Sequence, residues 1–254
     1  MKRGQIIHSG NQQLNINSNQ LQGVQGKILS NGQLLLATEQ AILDGAITSA
    51  DQINITAYNL SHQKGQMIQR GTLKPLTLAI RDQINNQLGF IQSPTALYIT
   101  ASSLNNQGGQ LSSAANHDLQ LDVAGLLDNS QSGQIYAGLN NNIHAGSINN
   151  SMAGQIAAQN ALTLTSLGLI NNQSGKIVAN ADVGIRSVGL DNTSGQIGSV
   201  QAGLALDAGT GVLSNQSGSL QSGKDIKVQA RPVKDPVRLD QCPGFDRGDG
   251  RSGH

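Results

Sequence analysis

The chain has 254 residues, a formal net charge of +1 and 12% charged residues, so its composition offers no electrostatic basis for binding nucleic acid or an anionic membrane surface. Its few aromatics, Tyr58, Phe90, Tyr98, Tyr136 and Phe245, leave almost no stacking platform for bases or sugars. A single cysteine, Cys242, excludes an intrachain disulfide, and no apolar run approaches the length of a membrane-spanning helix.

From the first residues onward the chain is a repeat. Met1-Lys2-Arg3 is basic, but no apolar stretch follows to make it a signal peptide. Glycine then recurs at Gly4, Gly26, Gly45, Gly65, Gly89, Gly109, Gly133, Gly154, Gly175, Gly195 and Gly218, a spacing of about 21 residues. Two residues after each stands an aliphatic side chain: Ile6, Ile28, Ile47, Met67, Ile91, Leu111, Ile135, Ile156, Ile177, Ile197 and Leu220. Two further on comes Ser or Ala, except at His8 and Gln69. Apolar pairs spaced by two follow, as in Leu34/Leu36, Leu119/Leu121 and Leu162/Leu164. The unit at Gly133 fits least well, with Leu139 and Ile143 out of step. A third apolar position (Ile84, Leu104, Leu127, Ile148, Ile170, Leu190, Leu213) precedes the next glycine, each with Asn two residues later: Asn86, Asn106, Asn129, Asn150, Asn172, Asn192 and Asn215.

The period inside each unit is two, which predicts short strands divided by turns. Asn, Gly, Ser and Thr between the apolar positions disfavour helix. One unit cannot fold alone, because four or five aliphatic side chains do not offset the ordering of about 21 residues at ~1–2 kcal/mol each. Stacked as turns of a coil, each apolar position lies above its equivalent and a continuous core forms. Small Ser or Ala suits a narrow interior, glycine suits a corner of positive φ, and Asn suits a left-handed turn and an amide ladder. The expected fold is a parallel β-helix of about eleven turns over 4–230. A leucine-rich repeat shares the period but requires a helical segment in each unit. A disordered Asn/Gln-rich chain is the other alternative, with 53 such residues, and the strict aliphatic register argues against it.

After Ala230 the composition changes. Residues 231–254 carry nine charges, three prolines and the cysteine, and no Asn. They read as an unstructured tail, and the whole as a piece of a longer rod. Within the tail, Arg247-Gly248-Asp249 is a tripeptide that can engage integrins through opposite charges held apart by glycine.

Units such as 104–137 (LNNQGGQLSSAANHDLQLDVAGLLDNSQSGQIYA) and 170–199 (INNQSGKIVANADVGIRSVGLDNTSGQIGS) carry the pattern L-[ND]-N-x-x-G-x-[IL]-x-[AS] in tandem. Over about residues 4–230 the chain resembles the repeats of filamentous haemagglutinins, large exoproteins of Gram-negative two-partner secretion that include contact-dependent growth-inhibition effectors. The resemblance implies an all-β, right-handed parallel β-helix, export through an outer-membrane barrel, a location outside the cell, a glycan or protein receptor, and a role in adhesion, biofilm formation or presentation of a toxin. The family's amino-terminal secretion domain and a carboxy-terminal toxin have no counterpart in these 254 residues.

Some β-helices are polysaccharide-degrading enzymes, which need clustered carboxylates on neighbouring turns. The nearest grouping, Asp118, Asp122 and Asp128, is sparse and reads as solvated surface. His8, His62, His117, His144 and His254 fall in different units without metal-ligand spacing. No catalytic constellation, cofactor fingerprint or metal motif is expected.

Overall fold

The computed structural model describes residues 3–231 and the backbone of 233–234. Every strand in it pairs in parallel, and the described residues contain no helix. An eleven-stranded sheet collects the four-residue strands that follow each repeat glycine, from Gln5–His8 to Ser219–Ser222. A second, 17-stranded sheet collects the rest. In five turns its strands run unbroken for nine or ten residues, as in Gln33–Ile42 and Leu119–Asp128. Elsewhere they split in two, as in Leu162–Ser166 and Leu169–Asn171. The fold is a β-solenoid of about eleven turns.

Alternation drives the packing. In Gln134–Ala137 the side chains of Ile135 and Ala137 are buried while Gln134 is exposed, and the same pattern recurs in Gln155–Ala158, Lys176–Ala179 and Gln196–Ser199. In-register pairing stacks Ile135 on Ile156, Ile156 on Ile177 and Ile177 on Ile197. Each such side chain, about 0–1% exposed, contributes roughly 1.5–3 kcal/mol of burial. The split apolar pairs stack in the same way: Leu119 on Leu97, Leu121 on Ile99 and Leu204 on Val183.

Two readings of the repeat need correction. First, the third anchor is displaced by one residue. Ile47 pairs with Lys27 and Gln66 on the outer face and is 37% exposed, whereas Thr48 pairs with Ile28 and Met67 and is fully buried. Ala46 fills the anchor slot, donating its N–H to Leu43 O as Gly65 does to His62 O. Second, most anchor glycines do not occupy a positive φ. That conformation falls one residue earlier, at Gln25, Lys64, Leu88, Gly108, Ser132, Ala153, Ser174, Ser194 and Ser217, and at Gly45 in the displaced unit. The anchors are glycine for a steric reason: a Cβ on Gly109, Gly133, Gly154, Gly175, Gly195 or Gly218 would lie 2.0–2.5 Å from the backbone oxygen of an Asn in the previous turn. The Asn residues likewise keep an ordinary backbone.

Irregular units solve local problems. Asn141 takes the inward position that Leu119 and Leu162 hold on either side, and its amide donates to Ala157 O at 3.1 Å. Ile143 then falls into line with Leu121 and Leu164. Gln69 replaces the usual small residue beside the looser segment 70–75. It is buried, accepts from Ile53 N at 3.0 Å and donates to Lys74 O at 2.6 Å, so a side chain does the work of missing strand pairing.

Candidate functional surface

The interior holds one continuous polar feature. Asn86, Asn106, Asn129, Asn150, Asn172, Asn192 and Asn215 lie one above another, at most 5% exposed. Each Nδ2 donates to the Oδ1 of the next, at 2.6–2.8 Å over six bonds. The second amide hydrogen reaches carbonyl oxygens, for Asn150 those of Gly154 at 3.1 Å and Lys176 at 3.2 Å. Those carbonyls settle which end of each amide is the donor. The absence of a Cβ on the anchor glycine leaves room for each rung, since a Cβ on Gly175 would also lie 2.6 Å from Asn172 Oδ1.

The ladder ends at His62. The preceding turns place Gly23 and Leu43 in the same column, through the same backbone bonding pattern. His62 Nδ1 lies 2.8 Å from Asn86 Oδ1. That oxygen is an acceptor, so the imidazole is the Nδ1–H tautomer and donates. His62 Nε2 then carries a lone pair in the core, with no hydrogen-bond partner among the described residues. Burial pushes the His62 pKa below its ordinary 6.5, against smaller raising effects from the Asn86 hydrogen bond and the Asp44 carboxylate. The unfolded chain therefore takes up a proton before the folded chain does. Stability attached to this site is full above about pH 6.5 and falls as pH drops toward the lowered folded value, by at most about 1.4 kcal/mol per pH unit. His62→Asn extends the ladder by one rung. The difference between the melting temperatures of the two proteins is expected to stay constant above pH 7 and to shift below pH 6.5, with the wild type losing more. Parallel curves would refute this assignment.

The outward acids and histidines are scattered rather than clustered. Asp118 Oδ1 accepts from the backbone and side chain of Asn140, at 3.1 and 3.0 Å. Asp122 is held by Gln120 Nε2 at 2.9 Å and stands 4.0 Å from His144 Nδ1. Asp128 accepts from Gln107, Ser130 and Asn149. These carboxylates act as turn and side-chain acceptors, spread along a strand rather than converging on one point. His8 contacts Ser30 Oγ at 3.1 Å, and His117 offers its carbonyl to Ser113. Among the described residues no three His, Cys, Asp or Glu side chains come together as a metal site. Tyr58 and Tyr98 are partly exposed but lie in different turns. Cys242, Phe245, the Arg247-Gly248-Asp249 tripeptide and His254 lie outside the described residues.

A family model described as haemagglutinin repeat matches residues 74–131, 114–205 and 200–231, which together span more than half of the chain. No curated protein and no solved structure matched the sequence.

Proposed function

The chain belongs to the haemagglutinin-repeat family, and from that premise we propose that it is the shaft of a Gram-negative adhesin, an extended spacer whose polar faces touch a surface. The observation that carries this is the division of labour within each turn. Most apolar side chains, the Asn column and many small residues are used up inside, while outward positions carry Gln, Asn, Ser and Thr on successive turns, with exposed apolar side chains such as Leu167, Leu169 and Val188 among them. Eleven turns at about 4.8 Å give a rod on the order of 50 Å. A repeated face of this kind gains attachment strength from many weak contacts rather than one deep pocket.

On this reading the protein works outside the cell, in adhesion or biofilm formation. It is exported through an outer-membrane barrel and meets a glycan or protein receptor, with 4–230 as the rod and 231–254 as its tail. Arg247-Gly248-Asp249 is a further candidate contact, tested by Asp249→Glu in a host-cell attachment assay. Latex beads coated with the chain are expected to adhere to epithelial cells or to bacteria more than albumin-coated beads do. Equal adherence would remove the adhesin reading. A toxin domain read in frame beyond residue 254 would instead make the rod the stalk of a growth-inhibition effector.

A further inference from the structure

We propose that the outer face of the eleven-stranded sheet is an interface with a second copy of this chain, two rods packed face to face and running in opposite directions. The pairing does not depend on whether the rod is an adhesin.

Each strand of that sheet turns its first and third side chains outward, and register lays these in two rows along the coil. Lys27 and Lys176 are the only charged residues in the two rows, and neither row holds an acid. The larger sheet, by contrast, carries Asp122, His144, Arg186 and Asp207 outside. In place of charge the smaller sheet presents Ile7 at 60% exposure and Ile47 at 37%. Phe90 and Tyr136 lie half-buried on the same face. Loss of charge with aromatic residues present is what distinguishes the core of an interface, and a run of exposed apolar side chains marks a contact surface. Strands of four residues at ~3.3 Å across eleven levels at ~4.8 Å give a face of roughly 650 Å² in projection, near the ~800 Å² that each partner of a stable pair covers.

Side-chain size selects a second copy and its direction. A two-fold axis along the middle strand, Gln110–Ser113, sets the first level of one rod against the last of the other, the second against the tenth, and so inward. In the third-position row Leu29 then faces Gly198, Val178 faces Ser49, Ile68 faces Ala157 and Tyr136 faces Gln92. Each is a larger side chain against a smaller one, as interdigitating sheets require. Gly198 opens a depression of about 600 Å³ between Val178 and Val200. A Cβ on Gly198 would meet only ordinary contacts, at 3.6 Å and beyond, so packing within the chain does not demand glycine there. The depression has room for the partner's Leu29. In the first-position row Lys27 faces Gln196 and Lys176 faces Ile47, so no lysine meets a lysine. Ser112 lies on the axis and meets its own copy. Its Oγ is buried without a hydrogen-bond partner among the described residues, and a second hydroxyl can donate or accept there. Rods running the same way would exchange the rows level by level. Leu29 would then face Lys27, Ile68 would face Gln66 and Val178 would face Lys176, apolar against polar throughout.

Sedimentation velocity over a concentration series tests the pairing in the full chain, in Ala157→Lys and in Thr163→Lys, a control on the larger sheet. Wild type and Thr163→Lys are expected to sediment as dimers. Ala157→Lys sets an ammonium group against Ile68 and is expected to weaken association at least about tenfold, with an unchanged circular dichroism spectrum. A wild type that stays monomeric at every concentration, or an Ala157→Lys chain that associates as wild type does, would overturn the proposal. Direction is read with a bis-maleimide spanning about 10 Å, the separation of packed sheets, in chains carrying Cys242→Ser. Leu29→Cys mixed with Gly198→Cys is expected to cross-link, and Leu29→Cys alone is not. Cross-linking of Leu29→Cys to itself means rods running the same way and defeats the arrangement.

Discussion

Asn150→Ala is expected to destabilise the protein by about 3–5 kcal/mol, while Asn142→Ala, on the outer face of the same turn, costs under about 0.5 kcal/mol. Asn150 is fully buried and has four partners. It accepts from Asn129 at 2.8 Å and donates to Asn172 at 2.7 Å, to Gly154 O and to Lys176 O. Removing it leaves one donor on Asn129 and one acceptor on Asn172 with weakened bonding, in a place water cannot enter. Each buried polar group so orphaned costs about 1–3 kcal/mol. Asn142 is exposed, and water replaces whatever its amide touched. Urea unfolding of the two variants measures the contrast. Equal shifts would mean that the column of amides contributes nothing beyond its neighbours' packing.

Gly175→Ala is expected to be at least as damaging, at about 4 kcal/mol or more, although it adds a single methyl group. A Cβ there would sit 2.0 Å from Asn150 O and 2.6 Å from Asn172 Oδ1. Neither atom can retreat: the first is the main-chain carbonyl of Asn150, a residue whose own N–H is tied to Asn171 O at 2.7 Å, and the second is a ladder rung. Relief requires adjacent turns to separate, which breaks in-register pairing of Lys176–Ala179 with Gln155–Ala158. Gly184→Ala is the matched control, in open space, and is expected to be neutral or mildly stabilising. Circular dichroism melts distinguish them, and a Gly175→Ala melt within a degree of wild type would contradict the steric account.

The architecture was legible because its signal is redundant. Period-two alternation at Ile135, Ile156, Ile177 and Ile197, repeated at near-constant spacing, leaves few arrangements other than stacked strands. The displaced unit is one where the signal is only local. At Gly45 and Ile47 a glycine and an aliphatic residue sit at the right spacing but one position early. A one-residue slip in a strand exchanges the two faces, so Ile47 points out and Thr48 in. The reason for glycine at each anchor was not legible, since the atom that forbids a side chain belongs to the turn before, about 21 residues away in sequence. The Asn column could be read from Asn86 onward. Nothing in the earlier units identified Gly23, Leu43 and His62 as its continuation, because a histidine that caps a ladder has no spacing of its own.

The most direct test of the stacked coil and its amide spine is side-chain hydrogen exchange, read by NMR on the Asn-labelled chain. The amide protons of Asn86, Asn106, Asn129, Asn150, Asn172 and Asn192 are expected to exchange slowly, on the timescale of the core strands, while those of the exposed Asn19 and Asn142 exchange at once. If the ladder amides exchange as fast as Asn142, the turns do not stack as described, and both the fold and the surface built on it are wrong.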